Sequence, residues 1–352
     1  MKSDGPPTPD LGHRHAPTAV MAEGGAAQPE PDPAPTPLPR SAPVLVTGAS
    51  GLVGTHACRE LASHGWTIRA LVRNSEKAAG RLAELPVEII VGEIRDESTV
   101  RRAAAGAAAV IHLAAIAIEH PGERYEDVNT EATRIVLHAV RAAGVTRFVQ
   151  MSQNGASSRS PSRFLRSKGV AEEMVRASGL DWTVLRPSVI VGPEDAFVNV
   201  LARLIRLTPL VLPLPAGGTA RFQPIAVGDV ARVAARVLDR SDTVGGVYSL
   251  GGPAILTLRQ MAERILIAMR ERRVIVGVPV GIMRPLIALA AHLLPHPPVT
   301  PSLLELLDVD NTVSGHDLTE VFGITPMPFA PEELGYLRAI TRRDALASLF
   351  TG

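Results

Sequence analysis

The stretch Val44-Leu45-Val46-Thr47-Gly48-Ala49-Ser50-Gly51-Leu52-Val53-Gly54 constrains this chain more than any other. A short apolar run breaks into three glycines spaced three apart, then into a helical pattern of apolar residues. Glycine suits a chain that must turn sharply, bring backbone N–H groups close to a pyrophosphate and pack a helix tightly on the preceding strand. The N-terminus of that helix would face the phosphates with its partial positive charge. An ordinary strand-to-helix loop can also carry a glycine triplet, so the reading depends on the surroundings.

The surroundings alternate between strand and helix. The first helical pattern runs from Leu52 to Ser63 and stops at Gly65. Strands are expected at Thr67–Val72, Val87–Val91, Ala109–Leu113, Arg147–Met151 and Trp182–Arg186, with helices near Ser75–Glu84, Glu97–Ala105, Glu131–Ala143 and Ser162–Ala177. Six strands with helical crossovers predict an α/β fold, a doubly wound, Rossmann-like parallel sheet whose ligand crevice lies at the carboxyl ends of the strands. A dinucleotide-binding domain is expected over 41–250, with 192–222 contributing to the lobe over the cleft, and a smaller C-terminal α/β lobe over 251–352 for substrate or partner.

The first forty residues hold ten prolines and few large apolar side chains. They cannot bury enough surface to offset chain entropy, so residues 1–40 are expected to be a disordered, polyproline-like tail. No apolar core of a secretory signal follows Lys2, and Met21 is an alternative start. A net charge of +1 supplies no field for nucleic acid. The lone Cys58 excludes an intrachain disulfide and reads as a small buried hydrophobe. No Cys/His metal spacing, glycine-lysine P-loop or Ser-His-Asp order is present.

Residues just past each strand should therefore line the cleft. Arg73 stands where an NAD-specific site would carry an acidic residue for the ribose 2′-hydroxyl. Its guanidinium suits a 2′-phosphate, so NADP(H) is the expected cofactor, with NAD(H) as the alternative; against this stands a plain surface-loop role for Arg73. Glu93 and Ile94, in Gly92-Glu93-Ile94-Arg95-Asp96, fall near an adenine position. Leu113, Ala114 and Ala115 follow the fourth strand, where the small alanines let backbone approach the cofactor, and His112 reads as structural.

These motifs, with Asn129 in Val128-Asn129-Thr130-Glu131-Ala132-Thr133 and with Arg186-Pro187-Ser188, resemble the extended and atypical short-chain dehydrogenase/reductases of the epimerase/dehydratase type. Within that superfamily the chain is similar to the dehydrogenase-like accessory subunit of respiratory complex I and its bacterial relatives. That closer likeness rests on Phe164-Leu165-Arg166-Ser167-Lys168-Gly169-Val170-Ala171-Glu172, on Leu185 to Asp195, on Arg221 to Ala231, and on Val321-Phe322-Gly323-Ile324 to Tyr336-Leu337.

The resemblance implies cofactor contacts at Gly48, Ser50, Gly51, Leu52, Val53, Gly54, Arg73, Glu93, Ile94, Leu113, Ala114, Ala115, Asn129, Lys168, Pro187, Ser188 and Val189, and no metal. It also implies a Tyr-x-x-x-Lys pair, in which the lysine holds the nicotinamide ribose and depresses the tyrosine pKa. The corresponding pair here is Phe164 and Lys168, and phenylalanine has no proton to give. The superfamily's serine falls best on Ser152, although a shift of one or two residues would place Gln153 or Asn154 there. Tyr125, in the loop before the helix carrying Asn129, could line the cleft but reads more readily as packing.

In the expected lobe, Ala196–Leu207 is helical, Arg221–Val230 returns toward the cleft, Val230–Leu238 is amphipathic, and Val247–Leu250 offers an edge strand. Thr257-Leu258-Arg259-Gln260 is a capping box opening a helix through Ile267. The most apolar region, Val274–Leu294, is broken by Arg284 and Pro285 and is too short to span a membrane. It reads as a strand to about Val278 followed by a packed core helix. The competing reading is a membrane-surface helix with Ile282, Leu286, Leu289 and Leu293 on one face.

Two functions of different class follow. One is a non-catalytic NADP(H)-binding protein, with nucleotide as structural or sensing ligand, partnered with a respiratory membrane complex or another protein. The other is a working NADP(H)-dependent reductase or epimerase on a small or quinone-like substrate. A cytoplasmic location is expected, with a peripheral position at the inner face of the membrane as the alternative.

Overall fold

A computed structural model of the chain describes residues 37–119, 122–299 and 310–350, together with Leu304 and Leu307. All but the last four positions of the expected 1–40 tail, including Met21, lie outside the described residues. The strands are β1 (Val44–Thr47), β2 (Ile68–Val72), β3 (Val87–Val91), β4 (Ala109–His112), β5 (Arg147–Met151), β6 (Asp181–Pro187), β7 (Ile190–Val191), β8 (Val211–Pro215), β9 (Arg221–Phe222), β10 (Ile225–Ala226), β11 (Val247–Leu250), β12 (Leu256–Thr257) and β13 (Val274–Val278). The longer helices are α1 (Leu52–Ser63), α2 (Ser75–Leu82), α3 (Glu97–Ala104), α4 (Ala132–Ala142), α5 (Arg163–Arg176), α6 (Val198–Leu207), α7 (Val227–Arg236), α8 (Leu258–Met269) and α9 (Val280–Leu293).

Seven strands pair in the order β11-β6-β5-β4-β1-β2-β3, all in parallel. β11, the edge strand offered by Val247–Leu250, therefore extends the expected six-stranded sheet to seven. Val-Leu-Val-Thr makes β1 because an inner strand of a parallel sheet is covered on both faces, and all four of its residues are buried. The strand order reverses between β1 and β4, which opens a crevice at their carboxyl ends. One core, with Val44, Val46, Leu61 and Ile111, packs α1 and α7 on one face. A second, with Leu45, Val100, Val136 and Phe148, packs α3 and α4 on the other.

A third core, with Leu201, Ile205, Leu212, Phe222, Met261 and Ile265, holds the lobe built from α6, α8 and the short strands. The capping box of α8 forms as expected, with Thr257 accepting from Gln260 N and Gln260 accepting from Thr257 N. The strand-then-helix reading of Val274–Leu294 also holds as β13 and α9, but the expectation that α9 packs in the core does not. Ile282, Leu286, Leu289 and Leu293 are all exposed. The lobe covers only the face of α9 carrying Met283, Ile287 and Ala290.

Candidate functional site

The glycine turn fits the close backbone approach that a dinucleotide needs. Gly48 has φ +70°, and a Cβ there would lie 2.8 Å from the backbone N of Ala114. A Cβ at Gly54 would sit 2.2 Å from the carbonyl of Gly48, so α1 packs against the turn more closely than any side chain allows. Gly51 caps α1 without a side-chain bond, and the first turn of the helix carries no acidic residue. Its N–H groups are therefore available to an anion.

Two cavities continue from this turn. The first, about 240 Å³, is walled by Gly48, Ser50, Gly51, Arg73, Glu93 and Ile94, with Leu113, Ala114 and Ala115 opposite. It brings together most of the residues expected at the adenosine end. It also brings in Asn74, Lys77, Arg95 and Glu123, which sequence reasoning did not assign. Asn74 carries a visible signal as the N-cap of α2, accepting from Lys77 N. Arg73 is ion-paired with Glu123, a contact between residues fifty apart that no local pattern announces.

The second cavity, about 250 Å³, lies on the side expected to take the nicotinamide and includes Leu52, Phe164, Ser188 and Val189 in its wall. Ile116 lines the first cavity and Ala117 the second, so the loop after β4 runs along both. Asn129 fixes that loop: Ile116 N donates to its Oδ1 at 2.9 Å and its Nδ2 donates to the Ile116 carbonyl at 3.0 Å. The same Nδ2 donates to Ser167 Oγ, tying the loop to α5. Asn129 thus shapes the cleft from behind its wall. Val53, Gly54 and Pro187 likewise lie outside both linings, in the turn and strand end that support them.

On α5, Phe164 faces the second cavity, its ring 5.6 Å from that of Tyr125. Tyr125 Oη donates to the Ala117 carbonyl at 3.0 Å. One turn on, Lys168 is buried outside the lining, and its Nζ donates to the Met151 carbonyl at 2.7 Å. Burial pushes its pKa down to about 8, partly offset by Glu172. Ser152 is also buried outside the lining, and its Oγ has no hydrogen-bond partner among the described residues. Gln153, Asn154 and Gly155 are the residues of that segment that reach the cavity.

Buried Glu172 accepts from Arg186 Nε at 2.8 Å, which anchors the end of β6 to α5 just before Pro187 and Ser188. His112 shares a hydrogen bond with Thr47 Oγ1 at 2.7 Å, and burial pushes its pKa to about 3, so it is a neutral framework residue. The floor of the second cavity comes from a segment that the sequence did not flag. Asn154 Nδ2 donates to Asn311 Oδ1 and to the Thr312 carbonyl, Ser188 Oγ donates to the Asn311 carbonyl, and Val313 N donates to Gln223 Oε1.

A glycine turn at the switch point, a cleft continuing past the loop after β4 and a helix presenting the Phe164/Lys168 positions define a nucleotide-binding domain of the short-chain dehydrogenase type. Residues 48–241 match the family described as NAD(P)H-binding. The chain is 32% identical over 290 residues to subunit 9 of the NADH dehydrogenase (ubiquinone) 1 alpha subcomplex, mitochondrial, of Arabidopsis thaliana, spanning 78% of this chain and 71% of that subunit. It belongs to this NAD(P)H-binding, epimerase/dehydratase-like family, together with the complex I subunit. It is also 35% identical over 188 residues to ceramide reductase of Caulobacter vibrioides, spanning 53% of this chain and 58% of the enzyme. Among solved structures, the NADPH-dependent quinone oxidoreductase of Escherichia coli complexed with NADPH superposes with a TM-score of 0.67 at 23% identity, covering 84% of this chain and 99% of that one, a likeness of fold.

Proposed function

We propose that the chain is an NADP(H)-binding protein of the complex I accessory-subunit type, in which the dinucleotide is a structural or sensing ligand and ordinary short-chain reductase catalysis is absent. The observation that carries this reading is Phe164 in the wall of the nicotinamide-end cavity, where the superfamily's proton donor would stand. General acid–base catalysis contributes roughly 10²–10⁴-fold, and a phenyl ring contributes none of it. Lys168 supports the reading, because its ammonium is engaged by the Met151 carbonyl. Arg73, with Lys77 and Arg95 in the same cavity, supports a 2′-phosphate and hence NADP(H) over NAD(H). Similarity to the plant subunit supports a role beside a respiratory membrane complex or in quinone-related function, at the inner face of the membrane.

A second reading, a working NADP(H)-dependent reductase or epimerase on a small or quinone-like substrate, draws on the unpartnered Ser152 Oγ and on the Tyr125 ring beside Phe164. The test is turnover of the unmutated protein with NADPH across a carbonyl, sugar-nucleotide and quinone panel, alongside calorimetric binding of NADPH. Tight binding with no turnover supports the first reading. Turnover that survives Phe164→Ala and is lost in Lys168→Ala establishes the second.

A further inference from the structure

The lobe contains a third cavity, about 310 Å³, in which every lining residue among the described residues is apolar. It lies between α6, β8 and α9, with Leu204, Leu214, Ile287 and Ala290 among its walls. An open pocket whose described walls carry no polar side chain leaves apolar surface in water, which an apolar ligand would cover. Its dimensions fall at the lower end of the range for small-molecule sites.

Two features say what occupies it. Phe197 lines both this cavity and the nicotinamide-end cavity, so the two are neighbours across one aromatic ring. A molecule with its polar end in the cleft would thus send an apolar end into the lobe. The other wall is α9, whose Ile282, Leu286, Leu289 and Leu293 are 56%, 59%, 55% and 68% exposed at helical spacing. Leu286 belongs to that exposed row and also lines the cavity, which places the mouth at the helix. No Asp or Glu occurs between Glu271 and Glu305, while Arg272 and Arg284 do, so this stretch is suited to an anionic, apolar surface. No helix among the described residues is long and apolar enough to cross a membrane, which fits a helix lying on one.

We propose that the cavity under α9 is a binding site for the hydrocarbon tail of a membrane amphiphile, loaded from the bilayer surface on which the apolar row of α9 rests, with its polar end directed to the nicotinamide end of the cleft. The inference goes beyond the functional reading above and rests on it only for the destination of the polar end. It makes the lobe a lipid-tail receptor whether or not the nucleotide turns over.

The experiment uses the full chain with vesicles of phosphatidylethanolamine and phosphatidylglycerol, doped with a phospholipid carrying a diazirine at the end of one tail. After irradiation, labelled peptides are mapped, and NADPH affinity and thermal unfolding are measured on the same preparations. Labels are expected on the peptides containing Leu204, Leu214 and Ile287. Leu204→Trp fills the cavity, and should lower those labels by roughly tenfold or more while NADPH affinity stays unchanged. Ala290→Phe fills it from the less packed α9 side and gives the same readout should Leu204→Trp fail to fold. Leu286→Glu with Leu289→Glu should reduce vesicle co-sedimentation and cavity labels together. Labels confined to the α9 peptides, with none on those containing Leu204 and Leu214, or cavity labels unaffected by both filling variants, would overturn the proposal. Loss of NADPH binding in the unmutated protein with cavity labels intact would instead count against the nucleotide reading alone.

Discussion

On the proposed reading nucleotide choice turns on Arg73, and the structure sets a smaller effect than the residue type alone suggests. A hydrogen bond to a charged group contributes ~1.5–3 kcal/mol when well formed. The Arg73 side chain is 54% exposed, and it already pairs with Glu123. Screening at that exposure lowers an ion pair to ~1 kcal/mol or less, so the preference for NADPH over NADH conferred by this residue should be roughly fivefold. Glu123 would also stand against an arriving 2′-phosphate. Arg73→Ala should therefore weaken NADPH roughly fivefold and leave NADH unchanged, whereas Glu123→Gln should strengthen NADPH by a similar factor. Isothermal titration of both nucleotides to both variants and the double variant closes the cycle. Raising the salt concentration should shrink the difference, since the site is solvated. Equal losses for NADPH and NADH in Arg73→Ala, or weaker NADPH binding in Glu123→Gln, would refute the assignment of a 2′-phosphate to this corner.

Other consequences concern the turn and the helix. Gly54→Ala places a methyl group 2.2 Å from the Gly48 carbonyl, forcing α1 off the turn at a cost of ~1–3 kcal/mol; dinucleotide binding should be lost, with a lower unfolding midpoint, and a normal isotherm would contradict the geometry. Lys168 has a folded pKa of about 8 against 10.5 in the unfolded chain, so the folded state binds fewer protons between those values. Its contribution to stability should then rise with pH across that window, by up to a few kcal/mol, and be least favourable below it. Denaturant titrations should show the parent gaining on Lys168→Met over this range, and a pH-independent difference would argue against a buried ammonium. Phe164→Tyr should keep NADPH affinity within about a factor of two. Any reductase activity it gains on a carbonyl panel would identify the missing proton donor as what silences the cleft, and a large loss of affinity would show that the hydroxyl does not fit beside Tyr125.

The frame of the molecule was legible because its signals are local. The boundaries of α1, β3 and β5 follow from apolar runs and their stops, and the glycine turn follows from spacing. Residues of the adenosine end could be named because they sit immediately past strands. What was not legible depends on long-range contact. Glu123 meets Arg73, and Asn311 meets Asn154 and Ser188, through folding of the chain and not through any repeat. The π-helical turn Glu126–Glu131, which precedes α4 and presents Asn129, has no helical-periodicity signature of its own. The sequence supports the exposure of α9 only as the competing reading, because periodicity shows that a helix has an apolar face without saying what meets it. Cys58 was read correctly as a buried hydrophobe, and burial pushes its thiol up to about 12.

The contacts of Asn311 with Asn154 and Ser188 also order events during synthesis. Every strand of the central sheet, and every residue walling the adenosine-end cavity, precedes Leu250 in the chain. The nicotinamide end gains its floor only when Asn311, Thr312 and Val313 have emerged and folded back. A chain cut short before Asp310 would keep the adenosine-end walls and lose Asp310 and Asn311 from the second cavity, leaving it open on that side.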